Sequence, residues 1–230
     1  MNPDDDHIAS ALDAVREQIA TAARRCGRQA GDVSLLAVSK TKPAAAIRIA
    51  HRHGQRCFGE SYVQEALAKQ QELAGLDIEW HFIGPIQSNK TRDIAAHFDW
   101  VHSVERGKIA TRLNAQRPVG MPPLNVLLQI NVSGESTKSG VAPADARALA
   151  HEIALLPSLR LRGLMTVPAP CDDPVAQREP FRQLRELMAD LNADGLVLDT
   201  LSMGMTHDLD AAVAEGATIV RVGTAIFGVR

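Results

Sequence analysis

Residues 35–43 read LLAVSKTKP, and the rest of the chain repeats the pattern of this stretch. Leu35, Leu36, Ala37 and Val38 form an apolar run of strand length, Ser39 and Lys40 end it, and Pro43 suits the first turn of a helix. Strand side chains alternate, so Leu36, Val38 and Lys40 share one face. An ammonium on a core-facing side needs a reason, because lysine is almost never fully buried unless paired. It is either a snorkelling side chain at a strand end or a nucleophile for a carbonyl carbon.

The same strand–loop–helix unit recurs on either side. Ile8, Leu12, Val15 and Ile19 recur at helical steps, which predicts a helix over residues 4–26, stopped by Gly27. Apolar runs predict further strands at 56–60, 79–84, 99–104, 124–132, 159–167, 196–203 and 218–222. Helices are expected at 43–53, 61–74, 88–97, 106–117, 143–156, 177–192 and 207–215, with Ser61 capping the second and Ser88 or Asn89 the third. The segments 118–123, 133–140 (SGESTKSG) and 168–174 (PAPCDDP) read as loops.

Continuous apolar strands alternating with helices imply a parallel sheet covered on both faces. Eight such strands in one chain point to an α/β protein, a closed (β/α)8 TIM barrel, and 230 residues is close to the roughly 250 usual for it. The extra N-terminal helix is expected to replace the helix missing after strand eight. The runner-up is an open doubly wound sheet, although no GxGxxG follows any strand. No shift of composition marks a boundary, so residues 1–230 read as one domain.

Composition narrows the function. Aromatics are 3% and the charge is 25 basic against 27 acidic residues, so neither nucleic acid nor an anionic membrane is an expected partner. The start, MNPDDDHIAS, is acidic where a signal peptide is basic, and no apolar run approaches the roughly 20 residues of a membrane helix. Cys26, Cys57 and Cys171 are odd in number and form no CxxC pair, which fits a reducing cytoplasm better than a disulfide or zinc framework. No HxxxH or HExxH spacing occurs, so no metal is expected.

In a TIM barrel the chemistry sits at the C-terminal ends of the strands, and phosphate often binds after strands seven and eight. Those strands run into LSMGMTHD and RVGTAIFG, each with a glycine and a hydroxyl: Ser202 with Gly204, and Gly223 with Thr224. Glycine lets backbone approach an anion, and free N–H groups at a following helix start complete a cradle, although ordinary turn residues look the same. Arg221 shares a face with Ile219 and Gly223, so it points into the barrel if Ile219 does. A buried guanidinium must be paired, and Glu60 or Glu79 would be its nearest acids. His81, Asn89 and Met165 also lie on or near strand ends, where His81 can equally be a satisfied core residue and Asn89 a cap. A strand-end lysine, a phosphate cradle and an inward arginine together suit one ligand, pyridoxal 5′-phosphate (PLP).

The segments AVSKTKP, FGESYVQE, WHFIGPIQSNK, GLMTVPAP, LSMGMTHDLDAAV and VRVGTAIFG run in this order along nearly the whole chain. Together they resemble the YggS/PROSC family of PLP homeostasis proteins. The resemblance implies the barrel of the alanine racemase N-terminal domain, with PLP held as an imine on Lys40. It also implies that Ser202, Gly223 and Thr224 hold the phosphate, that Arg221 faces the pyridine nitrogen, and that His81, Asn89 and Met165 lie around the ring or the site mouth. Ser61 stands where the family has Asn, and Thr206 where it has Ser. The sequence stops at Arg230, without the polar tail of some relatives.

The expected function is intracellular PLP homeostasis as a carrier or buffer, with amino acids and PLP-dependent apoenzymes as possible partners, in a cytoplasmic monomer. The alternative is a racemase-like PLP enzyme. Alanine racemases draw a second base, a tyrosine, from a separate β-domain, and the one tyrosine here is Tyr62. An arginine on the pyridine nitrogen also disfavours its protonation and weakens the ring as an electron sink. A cofactor-free class I aldolase is a third reading, with the same lysine chemistry and no need for Arg221.

Overall fold

The computed structural model describes residues 3–134 and 139–228. Lys138 and the centre of the SGESTKSG loop, like Val229 and Arg230, lie outside the described residues. The strands are β1 (Ser34–Val38), β2 (Cys57–Glu60), β3 (Glu79–Phe82), β4 (Trp100–Val104), β5 (Leu124–Gln129), β6 (Leu159–Met165), β7 (Thr200–Ser202) and β8 (Ile219–Val222). The helices are α1 (Pro3–Arg25), α2 (Ala44–Arg52), α3 (Val63–Glu72), α4 (Thr91–His97), α5 (Gly107–Gln116), α6 (Pro143–Ala154), α7 (Arg178–Ala193), α8 (Leu209–Ala214) and α9 (Thr224–Phe227). The strands pair in parallel in sequence order, and β1 closes on β8. The open doubly wound alternative is thereby excluded. Among the described residues no helix is long and apolar enough to cross a membrane.

The helices bury one face each against the outside of the barrel. On α1 the stripe Ile8, Leu12, Val15 and Ile19 is at most 5% exposed. That helix packs against α2, α8 and α9, so it fills the place in the outer ring between the last units and the first. The expected substitution of the first helix for a missing last one therefore holds, with one addition: the four-residue α9 follows β8. Strand β7 is shorter than its apolar run because Leu196–Leu198 precedes it as a loop, with Val197 at the surface. The proposed caps are replaced. Tyr62 and Lys90 occupy the N-cap positions of α3 and α4 without a side-chain cap bond, and Ser88 opens a 3-10 turn before α4.

Candidate functional site

Alternation carries two residues to the same place. Leu36 lies inside the barrel, and two and four residues on, Val38 and Lys40 reach the C-terminal mouth. Arg221 and Gly223 arrive there from β8, whose neighbour is β1. The cavity between them has a volume of about 660 Å³ and is also lined by Ser61, Met165, Thr206, His207 and Thr224. Lys40, Lys42 and Arg221 give it positive charge, and no carboxylate lines it among the described residues. A larger cleft of about 970 Å³ adjoins it through Met205 and His207. Among the described residues that cleft carries Asp172, Glu179 and Asp208 and no lysine or arginine, so the smaller cavity is the one suited to an anion.

Several polar side chains converge there unspent. Lys40, Ser61, Thr206, His207 and Thr224 have no side-chain hydrogen-bond partner among the described residues. At Gly223 an added Cβ would lie 3.1 Å from the Val38 carbonyl oxygen, so the backbone runs tight between β1 and the cavity. Gly204 has another duty. Its φ is +92°, and a Cβ would meet Ala212 of α8 at 2.5 Å, so it turns the chain sharply enough to aim Thr206 and His207 at the mouth.

The turn that presents Lys40 is held from below. Lys69, 5% exposed on α3, donates from Nζ to the Ser39 carbonyl at 2.8 Å, to Glu60 Oε1 at 2.8 Å and to Glu65 Oε1 at 2.6 Å. Ser39 Oγ donates to Glu60 Oε1 at 2.6 Å, and the Thr41 amide donates to Glu65 Oε1 at 2.5 Å. Both neighbours of Lys40 are thus tied to one buried cluster. Thr41 has φ +65°, an outlying conformation for a β-branched residue. Burial pushes the Glu60 carboxyl above the usual range, against the pull of the Lys69 hydrogen bond. The sequence shows Glu65 and Lys69 at the i,i+4 spacing of a helical ion pair, but not that this pair points inward.

Arg221 is buried without a carboxylate partner among the described residues, and neither Glu60 nor Glu79 reaches it. Its Nη1 donates to the Ser202 carbonyl at 2.7 Å and to Ser202 Oγ at 2.8 Å, and Nη2 donates to the Thr166 carbonyl at 2.8 Å. A guanidinium has more N–H groups than these acceptors use, so donors remain for a ligand. Burial draws its pKa down to about 10, which still leaves it charged at neutral pH.

Ser202 therefore lies beneath the cavity and braces Arg221 instead of lining the wall. From its hydroxyl a chain of bonds crosses the barrel: Ser202 Oγ to His102 Nδ1 at 2.9 Å, His102 Nε2 to His81 Nδ1 at 2.9 Å, and His81 Nε2 to Glu79 Oε1 at 2.8 Å. Burial holds His102 well below the usual imidazole range, so it carries one N–H. The hydrogen bond from His81 holds the Glu79 carboxyl below its usual range, so Glu79 accepts. With a neutral His81 every donor then points the same way, from Arg221 through Ser202, His102 and His81 to Glu79. His81 lies at the N-terminal mouth, lining a separate cavity, and Asn89 is exposed and lines neither. Of the residues named from the sequence, the structure brings Lys40, Ser61, Met165, Arg221, Gly223 and Thr224 together and places Ser202, His81 and Asn89 off the cavity wall; the sequence reading missed Met205, His207 and the Lys69 cluster.

Comparison with known proteins agrees with this geometry. Residues 10–230 match the family model described as alanine racemase, N-terminal domain. The pyridoxal phosphate homeostasis protein of Pseudomonas aeruginosa is 62% identical over 223 residues, covering 97% of this chain and 96% of that one. The structure of PipY of Synechococcus elongatus with PLP bound superposes with a TM-score of 0.84 at 41% identity, covering 96% of this chain and all (100%) of that one. Alanine racemase from Corynebacterium glutamicum shares the fold, with a TM-score of 0.70 at 18% identity over 95% of this chain and 62% of its own. The chain belongs to the pyridoxal phosphate homeostasis protein family, a branch of the proteins built on the alanine racemase N-terminal domain.

Proposed function

We propose that this chain holds PLP on Lys40 and serves PLP homeostasis as a carrier. The observation that carries the reading is the meeting of Lys40 and Arg221 in one cavity with positive charge, unspent hydroxyls and, among the described residues, no carboxylate. The bound PLP of the PipY structure supports it. PLP would supply an electrophilic carbonyl carbon and an electron-withdrawing ring. Lys40 would hold that carbon through Nζ, and the Lys69 cluster would keep the Lys40 turn aimed at it. Thr224 and the tight backbone at Gly223 would receive the phosphate, with Ser61 and Thr206 as further hydroxyls. Met165 would form the apolar floor, and Arg221, braced by Ser202, would leave the pyridine nitrogen unprotonated. We also infer that residues 1–230 act as one domain, as a cytoplasmic monomer that exchanges PLP with apoenzymes and reacts with free amino acids.

Borohydride reduction of the loaded protein followed by peptide mapping tests the attachment. The pyridoxyl group is expected on Lys40, and finding it mainly on Lys42, Lys90 or Lys138 would reject the assignment. The racemase-like alternative draws on His207, a titratable group on the cavity wall, whereas Tyr62 is 51% exposed and lines no part of the cavity. Deuterium exchange at Cα of L-alanine separates the two readings. Exchange far below the enzyme median of about 10 per second is expected, and exchange near that rate makes the protein an enzyme.

A further inference from the structure

The N-terminal mouth of the barrel holds a second cluster that the PLP reading leaves unused. Cys57 and Glu79 open β2 and β3 and lie opposite each other in register. Cys57 Sγ is 3.5 Å from Glu79 Oε1, which is 2.8 Å from His81 Nε2, and the three donor atoms all lie within 4.8 Å of one another. With zinc–ligand bonds of about 2.0–2.3 Å, the edges of a zinc tetrahedron measure roughly 3.3–3.8 Å, so small side-chain shifts bring these atoms around one ion. No spacing motif announces the cluster, because its members come from neighbouring strands.

We propose that Cys57, Glu79 and His81 form a three-donor site for a divalent cation of the zinc class, with its fourth position open to the mouth cavity. The donor set of one sulfur, one imidazole nitrogen and one carboxylate oxygen selects zinc-like ions over calcium or magnesium. His81 is already oriented as a ligand. It is 2% exposed, stacks on Trp100 with ring centroids 5.5 Å apart and planes 5° apart, and is bonded through Nδ1 to His102. A hydrogen bond at the far ring nitrogen is the usual outer support of a metal-binding histidine. The neighbouring charge does not oppose a cation, since Arg162, on the same cavity, is paired with Asp199 at 2.7 Å. A divalent ion would bind Cys57 as the thiolate and release its proton. An ion on His81 Nε2 also forces the ring proton onto Nδ1, which reverses the bond to His102.

The test is titration of the PLP-loaded protein with Zn²⁺ by calorimetry and with Co²⁺ by visible spectroscopy. One equivalent is expected to bind with a dissociation constant at or below the micromolar range, and the Co²⁺ form should show a thiolate charge-transfer band. Cys57→Ser should remove that band and weaken binding at least about tenfold. His81→Gln should weaken it similarly, and a Cys26→Ser, Cys171→Ser double variant should bind as the parent does. Absence of stoichiometric binding overturns the proposal, and so does binding that survives Cys57→Ser and is lost in the double variant. Cys57 is only partly buried, so its variant keeps the test valid if His81→Gln does not fold. None of these outcomes bears on attachment at Lys40.

Discussion

Outside the sheet, Phe58, Phe82, Phe98 and Phe181 are at most 1% exposed and pack with aliphatic side chains of the helices into one apolar layer. Inside it, the buried side chains include His81, His102, Ser202 and Arg221 beside Leu36 and a small apolar cluster of Trp100, Leu127 and Met165. The two faces of the same strands thus follow different rules. The outer layer removes hydrocarbon from water, which stabilises the fold at about 25 cal/mol per Å². The inner space contains polar groups whose desolvation is offset only while every bond is made. Stability should therefore reside mainly in the outer layer and ligand chemistry in the inner one.

The largest effect expected lies at the inner mouth. Lys40→Ala should abolish covalent capture of PLP, read as loss of visible absorbance, while the thermal midpoint stays close to the parent's. A variant that captures PLP normally breaks the division by removing its chemical centre. Phe181→Ala should do the opposite, costing about 3–5 kcal/mol in urea denaturation and leaving PLP capture intact wherever the protein is folded.

The interior polar chain should show itself through pH. His102 is kept neutral by the fold, whereas its unfolded pKa is near 6.5, so below that value the unfolded chain binds the extra proton. Stability from this group is present above the unfolded pKa and is lost progressively as pH falls below it. His102→Gln should flatten that part of the profile, and an unchanged slope would assign it to other groups. The smallest effect belongs to Thr224→Ala. It should weaken PLP binding by about 1.5 kcal/mol, roughly tenfold, and should not weaken pyridoxal, which lacks the phosphate.

Alternation explains which parts of this arrangement were legible in the sequence. The period of two put Lys40 on the face of Leu36 and Val38 and tied Arg221 to the face of Ile219, and parallel closure made them neighbours. His81 was placed only on or near a strand end, and alternation carries no depth. His81 is the third residue of β3, whereas Lys40 lies two residues past the end of β1, so they face opposite mouths. Ser202 ends β7 as expected, yet its hydroxyl turns toward His102 and Arg221, partners 100 and 19 residues away. The Lys69 cluster was equally hidden, because its bond to Ser39 spans 30 residues. Helix α9 is a single turn, too short for periodicity to register.

The place where β1 meets β8, covered by α1, has a consequence for the order in which the protein is made. Gln18 on α1 bonds to Asp210 on α8 across 192 residues, and Ser34 pairs with Ile219. A ribosome adds about 5–20 residues per second, so α1 and β1 wait roughly ten seconds or more for these partners. During that time the sheet has an open edge at β1, a template for pairing with other chains. The cavity straddles this seam, with Lys40 on one side and Arg221, Gly223 and Thr224 on the other. A nascent chain thus has Lys40 long before it has the opposite wall, and the cavity is complete only with closure of the barrel.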